Sequence, residues 1–473
     1  MDENDDGLCD LCKEVMLVTC DIYAINDLHG KLADTNFQIG VDELSTYLKH
    51  AQAGGNTILL SIGDMWQGTS ESNLTGGFLV TEWMNQLGFA AMTLGGHEFD
   101  WGEEQIRKNL QLAEFPFLAI NIYDNQTNRQ VDYCQSSLVV DIQGAQIGII
   151  GAIGNCYNSI ASEHTKNVTF KIGEELTDLV KTESEKLRSQ GVDLIIYAIH
   201  DGSDQTTADT EVLSVGNREL SSYYDTSLSE GYVDLVFEAD SHYWYVLRDQ
   251  QEVYHLQAGG NNQGLSHASV LINKANGNAT VLTAELVSPM AYMHLHSDPT
   301  VAQLMEKYAD LIAPAQRVLG NNGQYRSGAA VRQLVADLYC HKGVEKWGAE
   351  YDVVLGGGYI SCRSPGYMDP GQVTYSQLYS LLPFDNQITL CSIQGSDLVS
   401  KFLENDHYAY CIKTTAYGES IRHSIDPNAT YYVVTDSYSA NYAPNNMTVI
   451  DVYASDIFAR DLLADLVAQG GLE

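Results

Sequence analysis

Positive charge is scarce in this chain. Lys and Arg number 25 against 62 Asp and Glu, leaving a formal net charge of −37 over 473 residues. Binding to polymeric DNA or RNA rests largely on Lys and Arg neutralising phosphates, so this balance argues against a nucleic-acid partner. A small anionic substrate stays compatible where a metal ion inverts the local field. Long apolar stretches are also missing: no uninterrupted run reaches the roughly 18 residues that a spanning helix needs. Cysteine is sparse, with 9 residues at unpatterned spacings, and Cys9 and Cys12 form one C-x-x-C without a second pair. Ordinary thiols are expected there rather than structural zinc. The opening MDENDDG lacks the basic and apolar regions of a signal peptide, which fits a secreted chain after leader removal as well as a cytosolic protein.

What the chain does contain is material for a core. Hydrophobic residues make up 44% and aromatics 10%, 29 of them Tyr, which excludes a disordered chain and a small disulfide scaffold. The length suits two domains. β-branched runs at Val15–Ile25, Thr57–Ile62, Ala91–Leu94, Phe117–Ile122, Gln146–Ile153, Val192–Ile199 and Val233–Phe237 alternate with turns and helical stretches, the cadence of an α/β fold with a buried sheet. Ser297-Asp298-Pro299 reads as a helix start, and Val301, Leu304, Met305, Tyr308, Leu311 and Ile312 follow the helical period until Pro314. That segment is expected to connect two domains.

Chemistry concentrates just beyond the strands. Asn26-Asp27-Leu28-His29-Gly30 follows the first run, Gly63-Asp64-Met65-Trp66-Gln67-Gly68 the second, and Gly95-Gly96-His97-Glu98-Phe99-Asp100 the third. His200-Asp201-Gly202 and Asp240-Ser241-His242 follow two later runs. Ligands of open α/β sheets bind at the carboxyl ends of strands, so these loops are expected to converge. Asp and His are hard-to-borderline metal ligands, and a carboxylate between two cations can bridge them, the outline of a dinuclear site for phosphate hydrolysis.

These motifs resemble those of the calcineurin-like metallophosphoesterases, and within them the 5′-nucleotidase / UDP-sugar hydrolase / cyclic-nucleotide phosphodiesterase family. The family patterns D-x-H-G, G-D-x-x-x-G, G-N-H-E-x-D, H-x-G and G-H-x-H appear as Asp27–Gly30, Gly63–Gly68, Gly95–Asp100, His200–Gly202 and Ala239–His242. Later, Leu355-Gly356-Gly357-Gly358-Tyr359 looks like the family's Gly-rich loop, and Leu382-Pro383-Phe384-Asp385-Asn386 like its stacking segment. The resemblance implies a four-layer α/β/β/α sandwich over residues 15–295, a linker helix over 296–319 and a smaller α/β domain over 320–473 that binds the nucleotide. It further implies that Asp27, His29 and His242 hold a first divalent metal, that Asp64 bridges, and that His200 and position 240 hold a second. His97, oriented by Asp100, would protonate the leaving oxygen or steady the phosphoryl group. Phe384, with Tyr442 or Tyr438, would sandwich the base, and Gly357, Gly358, Arg363 and Arg326 would contact substrate.

Two positions depart from the family pattern. Its metal-binding Asn is Gly96 here, and the first His of G-H-x-H is Asp240. Glycine offers no donor, while Asp240 exchanges an imidazole for an anion, favouring Mn²⁺, Mg²⁺ or Ca²⁺ over Zn²⁺. The expectation is therefore a metal-dependent phosphohydrolase acting on nucleoside 5′-monophosphates, with UDP-sugars or cyclic nucleotides as further candidate substrates, in an extracellular or cell-envelope location. The competing expectation is a nucleotide-binding homologue with weakened or absent turnover. A third, an adhesion or surface-interaction protein, would draw on the N-x-T sequons at Asn73, Asn125, Asn167, Asn278, Asn428 and Asn446.

Overall fold

The structure, a computed structural model, describes residues 16–33, 40–161, 164–208, 211–216, 219–220, 224–363, 365–404, 408–412 and 425–472. The C-x-x-C at Cys9 and Cys12 lies outside the described residues. Two compact units emerge, Met1–Gln67 with Glu71–Ala309, and Asp310–Glu473 with Gly68–Ser70.

In the first unit the β-branched runs become strands close to their expected bounds, among them Leu17–Ile25, Thr57–Ser61, Ala91–Thr93, Ala145–Ile153, Leu194–His200 and Leu235–Phe237. The expected single run Phe117–Ile122 divides into Phe117–Leu118 and Ile122–Asp124, which belong to different sheets. One six-stranded sheet runs in the order Asn278–Val287, Leu265–Asn273, Leu17–Ile25, Thr57–Ser61, Ala91–Thr93, Phe117–Leu118. A seven-stranded sheet places Leu235–Phe237, Leu194–His200, Ala145–Ile153 and Ser137–Ile142 side by side.

The two sheets pack face to face. Their shared core joins Cys20, Ile22, Ile58 and Leu60 of one sheet to Ile147, Ile149, Leu194 and Ile196 of the other. The helix Glu174–Ser189 covers the second sheet by burying Leu176, Val180 and Leu187 against Ile150 and Tyr197. Its acidic first turn and basic last turn match the helix dipole. The helix Val41–Gln52 buries Val41, Leu44 and Leu48 beside Thr57–Ser61. The result is the expected α/β/β/α layering.

Leu17–Ile25, Thr57–Ser61 and Ala91–Thr93 are parallel neighbours, as are Ala145–Ile153, Leu194–His200 and Leu235–Phe237. Within each sheet, then, the loops that follow these strands leave from one edge.

Asp298 caps the helix Pro299–Lys307 by accepting from Thr300 N. That helix ends well before Pro314: a break at Tyr308 precedes the short Ala309–Ile312 turn, and Leu311, which the helical period assigned to a buried face, is 53% exposed.

The second unit is built on a five-stranded sheet in the order Ala409–Ile412, Val353–Gly358, Thr430–Asp436, Ile388–Gln394, Thr448–Val452. The helices Gly328–Trp347, Tyr375–Leu381 and Ala459–Ala468 contribute Val331, Val335, Leu378, Leu462 and Leu463 to its core. Gly356, Gly357 and Gly358 are the last residues of the interior strand Val353–Gly358 and not a loop. Tight packing explains the composition: a side chain at Gly356 would collide with the backbone of Cys340 on the long helix.

Candidate metal centre

Six strand-end loops meet in the first unit. Asp27 and His29 follow Leu17–Ile25, and Asp64 follows Thr57–Ser61. His97 opens a 3-10 turn, His200 closes its strand, and Asp240 and His242 follow Leu235–Phe237. Gly154-Asn155-Cys156 after Ala145–Ile153 is the loop that the motifs do not single out.

Asp27, His29, Asp64, Asp240 and His242 all adopt left-handed backbone, with φ between 50° and 66°. Non-glycine residues seldom take this conformation, and its concentration at one place is characteristic of functional sites. Gly63, at φ 91°, cannot be replaced freely either, because a Cβ there would sit 2.6 Å from Gly95 N and from His200 Nδ1.

His242 Nε2 lies 3.2 Å from Asp27 Oδ1 and 3.2 Å from His29 Nε2. His29 Nδ1 faces the Gln67 carbonyl at 3.0 Å, and since a carbonyl only accepts, Nδ1 carries the proton and Nε2 presents its lone pair. The same logic fixes His200, whose Nδ1 donates to Ile62 O at 2.5 Å. His200 Nε2 is buried without a hydrogen bond, 3.3 Å from Asp64 Oδ2 and 3.9 Å from Asp27 Oδ1. Among the described residues, four trios keep their donor atoms within 4.8 Å of one another: Asp27-His29-His242, Asp27-Asp64-His200, His29-Asp64-His97 and Cys156-His200-Asp240. Shared Asp27, Asp64, His29 and His200 join them into one cluster.

Electrostatics describe the same place. Burial pushes Asp27 up, yet His242 and His200 outweigh it and hold the carboxyl below the ordinary range. Burial likewise opposes Asp64, which His200 and His97 keep well below that range. Asp240 stays raised, by burial first, with Asp64 and Asp27 working against His200. Three acids in so little water require compensating positive charge, which the neighbouring imidazoles supply in the absence of a cation. At His200 burial opposes the charge, but Asp64 and Asp27 raise the pKa well above its ordinary value. Imidazole nitrogens with their lone pairs turned inward and carboxylates sharing one space are the donor set of a divalent-cation site, so the residues present fit such ions.

His97 stands at the rim. Its Nδ1 lies 2.8 Å from Asp100 Oδ2, and its Nε2 is 4.0 Å from Asp64 Oδ2. Beneath it, Glu98 is fully buried and accepts the backbone N–H groups of Asp64 at 2.8 Å, Met65 at 2.9 Å and Gly95 at 2.7 Å. Burial and the nearby Asp64 push its pKa to about 7. Glu98 thus pins two metal-site loops together, a role that its place in the motif does not announce.

Comparison with known proteins agrees with this architecture. Residues 309–417 match the model of the 5′-nucleotidase C-terminal domain. An apyrase of Tabanus yao is 26% identical over 422 residues, covering 80% of this chain and 72% of its own. The protein UshA of Yersinia enterocolitica is 25% identical, covering 87% of this chain and 82% of its own. A crystal structure of a 5′-nucleotidase precursor from Thermus thermophilus superimposes with a TM-score of 0.74 at 19% identity and covers 96% of each chain. Along most of its length the chain is similar to 5′-nucleotidases and their relatives. It carries their fold, a metallophosphoesterase-type unit followed by the nucleotidase C-terminal domain, and its relatives are hydrolases.

The residues expected to contact substrate lie in the second unit. Phe384 is partly exposed, and the guanidinium of Arg363 lies over its ring, 5.1 Å from the centroid. The segment is held from behind by Arg460, 3% exposed, which donates to Phe384 O at 3.1 Å, to Tyr379 OH at 3.2 Å and to the Asp385 carboxylate. Tyr438 and Tyr442 stack on each other at 6.2 Å, and Tyr359 approaches Tyr438 at 5.9 Å. Gly358 abuts Asp436 and Ser439, and Gly357 abuts Tyr410. Arg326 turns its Nε to Asn322 Oδ1 at 2.9 Å, inside a local network with Met368. No described helix is long and apolar enough to cross a membrane.

Proposed function

We propose that this chain is a metal-dependent phosphohydrolase that releases phosphate from nucleoside 5′-monophosphates. The supporting observation is the convergence of Asp27, His29, Asp64, His200, Asp240 and His242, from loops on two sheets, into one buried donor cluster. Asp27, His29 and His242 would hold one divalent ion, Asp64 would bridge, and His200 with Asp240 would serve a second. Bound ions supply Lewis-acid stabilisation of the phosphoryl oxygens and activation of water.

The chain's own contribution is positional. His29 and His200 keep their Nδ1 protons on backbone carbonyls. His97, with Nδ1 held by Asp100, presents Nε2 as the atom from which a proton reaches the leaving oxygen. Phe384, with Tyr438 or Tyr442, offers aromatic faces for a base, and Arg363 and Arg326 offer cations for phosphate or ribose oxygens. Action outside the cytoplasm is part of the same reading.

The test is phosphate release from AMP by purified protein supplied with Mn²⁺ or Zn²⁺. Release that disappears in Asp64→Ala supports the proposal; release no greater than in that variant contradicts it. One observation favours a second reading: Gly96 brings no donor to the cluster. A nucleotide-binding homologue without turnover would bind AMP measurably, leave it intact, and gain activity on combined Gly96→Asn and Asp240→His substitution.

A further inference from the structure

We propose that the Cys156 thiolate is a ligand of the second metal, filling the role that Gly96 cannot; this rests on the reading that the cluster holds cations. A Cβ built on Gly96 would lie 3.4 Å from Cys156 Cβ and 3.5 Å from its Sγ, so the thiol borders the space that a side chain at position 96 would enter. Cys156 Sγ also forms a mutual 4.8 Å trio with His200 and Asp240. Three separate strand ends therefore direct donors to one point.

Backbone pairing fixes this arrangement. Ile153 pairs with His200 across parallel strands, Gly154 N donates to His200 O at 2.9 Å, and Cys156 Sγ sits 3.8 Å from the same carbonyl. The thiol is held next to His200, whose Nε2 is fully buried and lacks a hydrogen bond. The surroundings are unlike those of a packing cysteine. Cys20 lies in the apolar core between the sheets, whereas Cys156 faces Asp240, Asp64, Asp201 and Asp27. A small apolar filler gains nothing from carboxylates, but a ligand shares its cation with them.

The assignment changes the expected metal. With Asp64, His200 and Asp240 it gives the second ion one thiolate, one imidazole and two carboxylates, which turns preference toward Zn²⁺ or Co²⁺ and away from Mg²⁺ and Ca²⁺. Binding breaks the S–H bond, forms the sulfur–metal bond and delivers the proton to solvent.

The experiment loads the full chain with Co²⁺ and records the near-ultraviolet sulfur-to-cobalt charge-transfer band, alongside zinc X-ray absorption. The inference expects the band, and a sulfur scatterer at about 2.3 Å in the zinc form. Cys156→Ser should abolish both while Cys9→Ser and Cys12→Ser preserve them. It should also weaken the second ion at least about tenfold, since loss of even an outer-sphere partner has that effect. Gly96→Asn combined with Cys156→Ala should restore a second ion without the band. A band that survives Cys156→Ser, or a wild-type chain that binds its ions without sulfur, overturns the inference. AMP hydrolysis with no sulfur signature would sink this inference alone, and a Cys156-dependent band without AMP hydrolysis would sink the phosphohydrolase reading alone.

Discussion

Asp64 accepts the backbone N–H of His97 at 2.8 Å, so the carboxylate proposed to bridge the metals also sets the position of the proposed proton donor. Replacing His97 by Asn should leave that backbone contact and the metal cluster intact while removing the proton at Nε2. The expected outcome is a fall in kcat for AMP of roughly 10²–10⁴-fold at unchanged metal content. Loss of bound metal in His97→Asn would instead make His97 a ligand, as its proximity to His29 and Asp64 permits.

Glu98 links loops that carry different ligands. Glu98→Gln replaces an oxygen acceptor by an amide donor facing backbone N–H groups. Each donor left unsatisfied costs about 1–3 kcal/mol, so chemical denaturation should show a loss of at least that size. Unchanged stability would show that the backbone amides facing the new NH₂ group find other acceptors, the remaining Gln oxygen among them.

A second buried network gives a pH dependence. His255 is fully buried; burial opposes its charge, but Glu238 and Asp249 raise its pKa to about 9, with Tyr224 and Tyr245 packed into the same network. The folded value exceeds the ordinary imidazole value of 6.5. This contribution to stability is therefore complete below about 6.5 and is lost as pH rises through about 9. The unfolding free-energy difference between wild type and His255→Gln should shrink across that window. A difference that stays constant from pH 6 to pH 9 would contradict it.

Phe384 offers the proposed base-stacking face. Phe384→Ala should raise KM for AMP, with kcat largely retained, by an amount equivalent to about 1–3 kcal/mol of stacking. Hydrolysis of ribose 5-phosphate, which has no base, should respond little. Equal effects on both substrates would mean that Phe384 acts by supporting the fold.

Much of the site is legible in the sequence because strand ends announce themselves. A β-branched run followed by Asp, His and Gly states both the element and its loop, and five such endings are enough to name Asp27, His29, Asp64, His97, His200, Asp240 and His242. Cys156 stays hidden because its strand is recognisable while its loop, Gly154-Asn155-Cys156, carries neither His nor Asp; the signal is the same strand-end position. Glu98 stays hidden for another reason, since its partners are backbone amides whose nearness only the fold reveals. The three glycines at 356–358 read as a loop through the family resemblance; glycine weakens strands, and the close approach of the helix Gly328–Trp347 is what favours it here. Tyr442 or Tyr438 is expected to pair with Phe384 across a base; the two tyrosines stack on each other, a contact one helical turn apart that composition cannot express.

Counting metal ions per chain by mass spectrometry tests the central claim most directly. Protein loaded with Zn²⁺ or Mn²⁺ and then dialysed should retain about two ions per chain, falling to one or fewer in Asp64→Ala, whose carboxylate lies between both ligand sets. A wild-type chain that retains none would contradict the account.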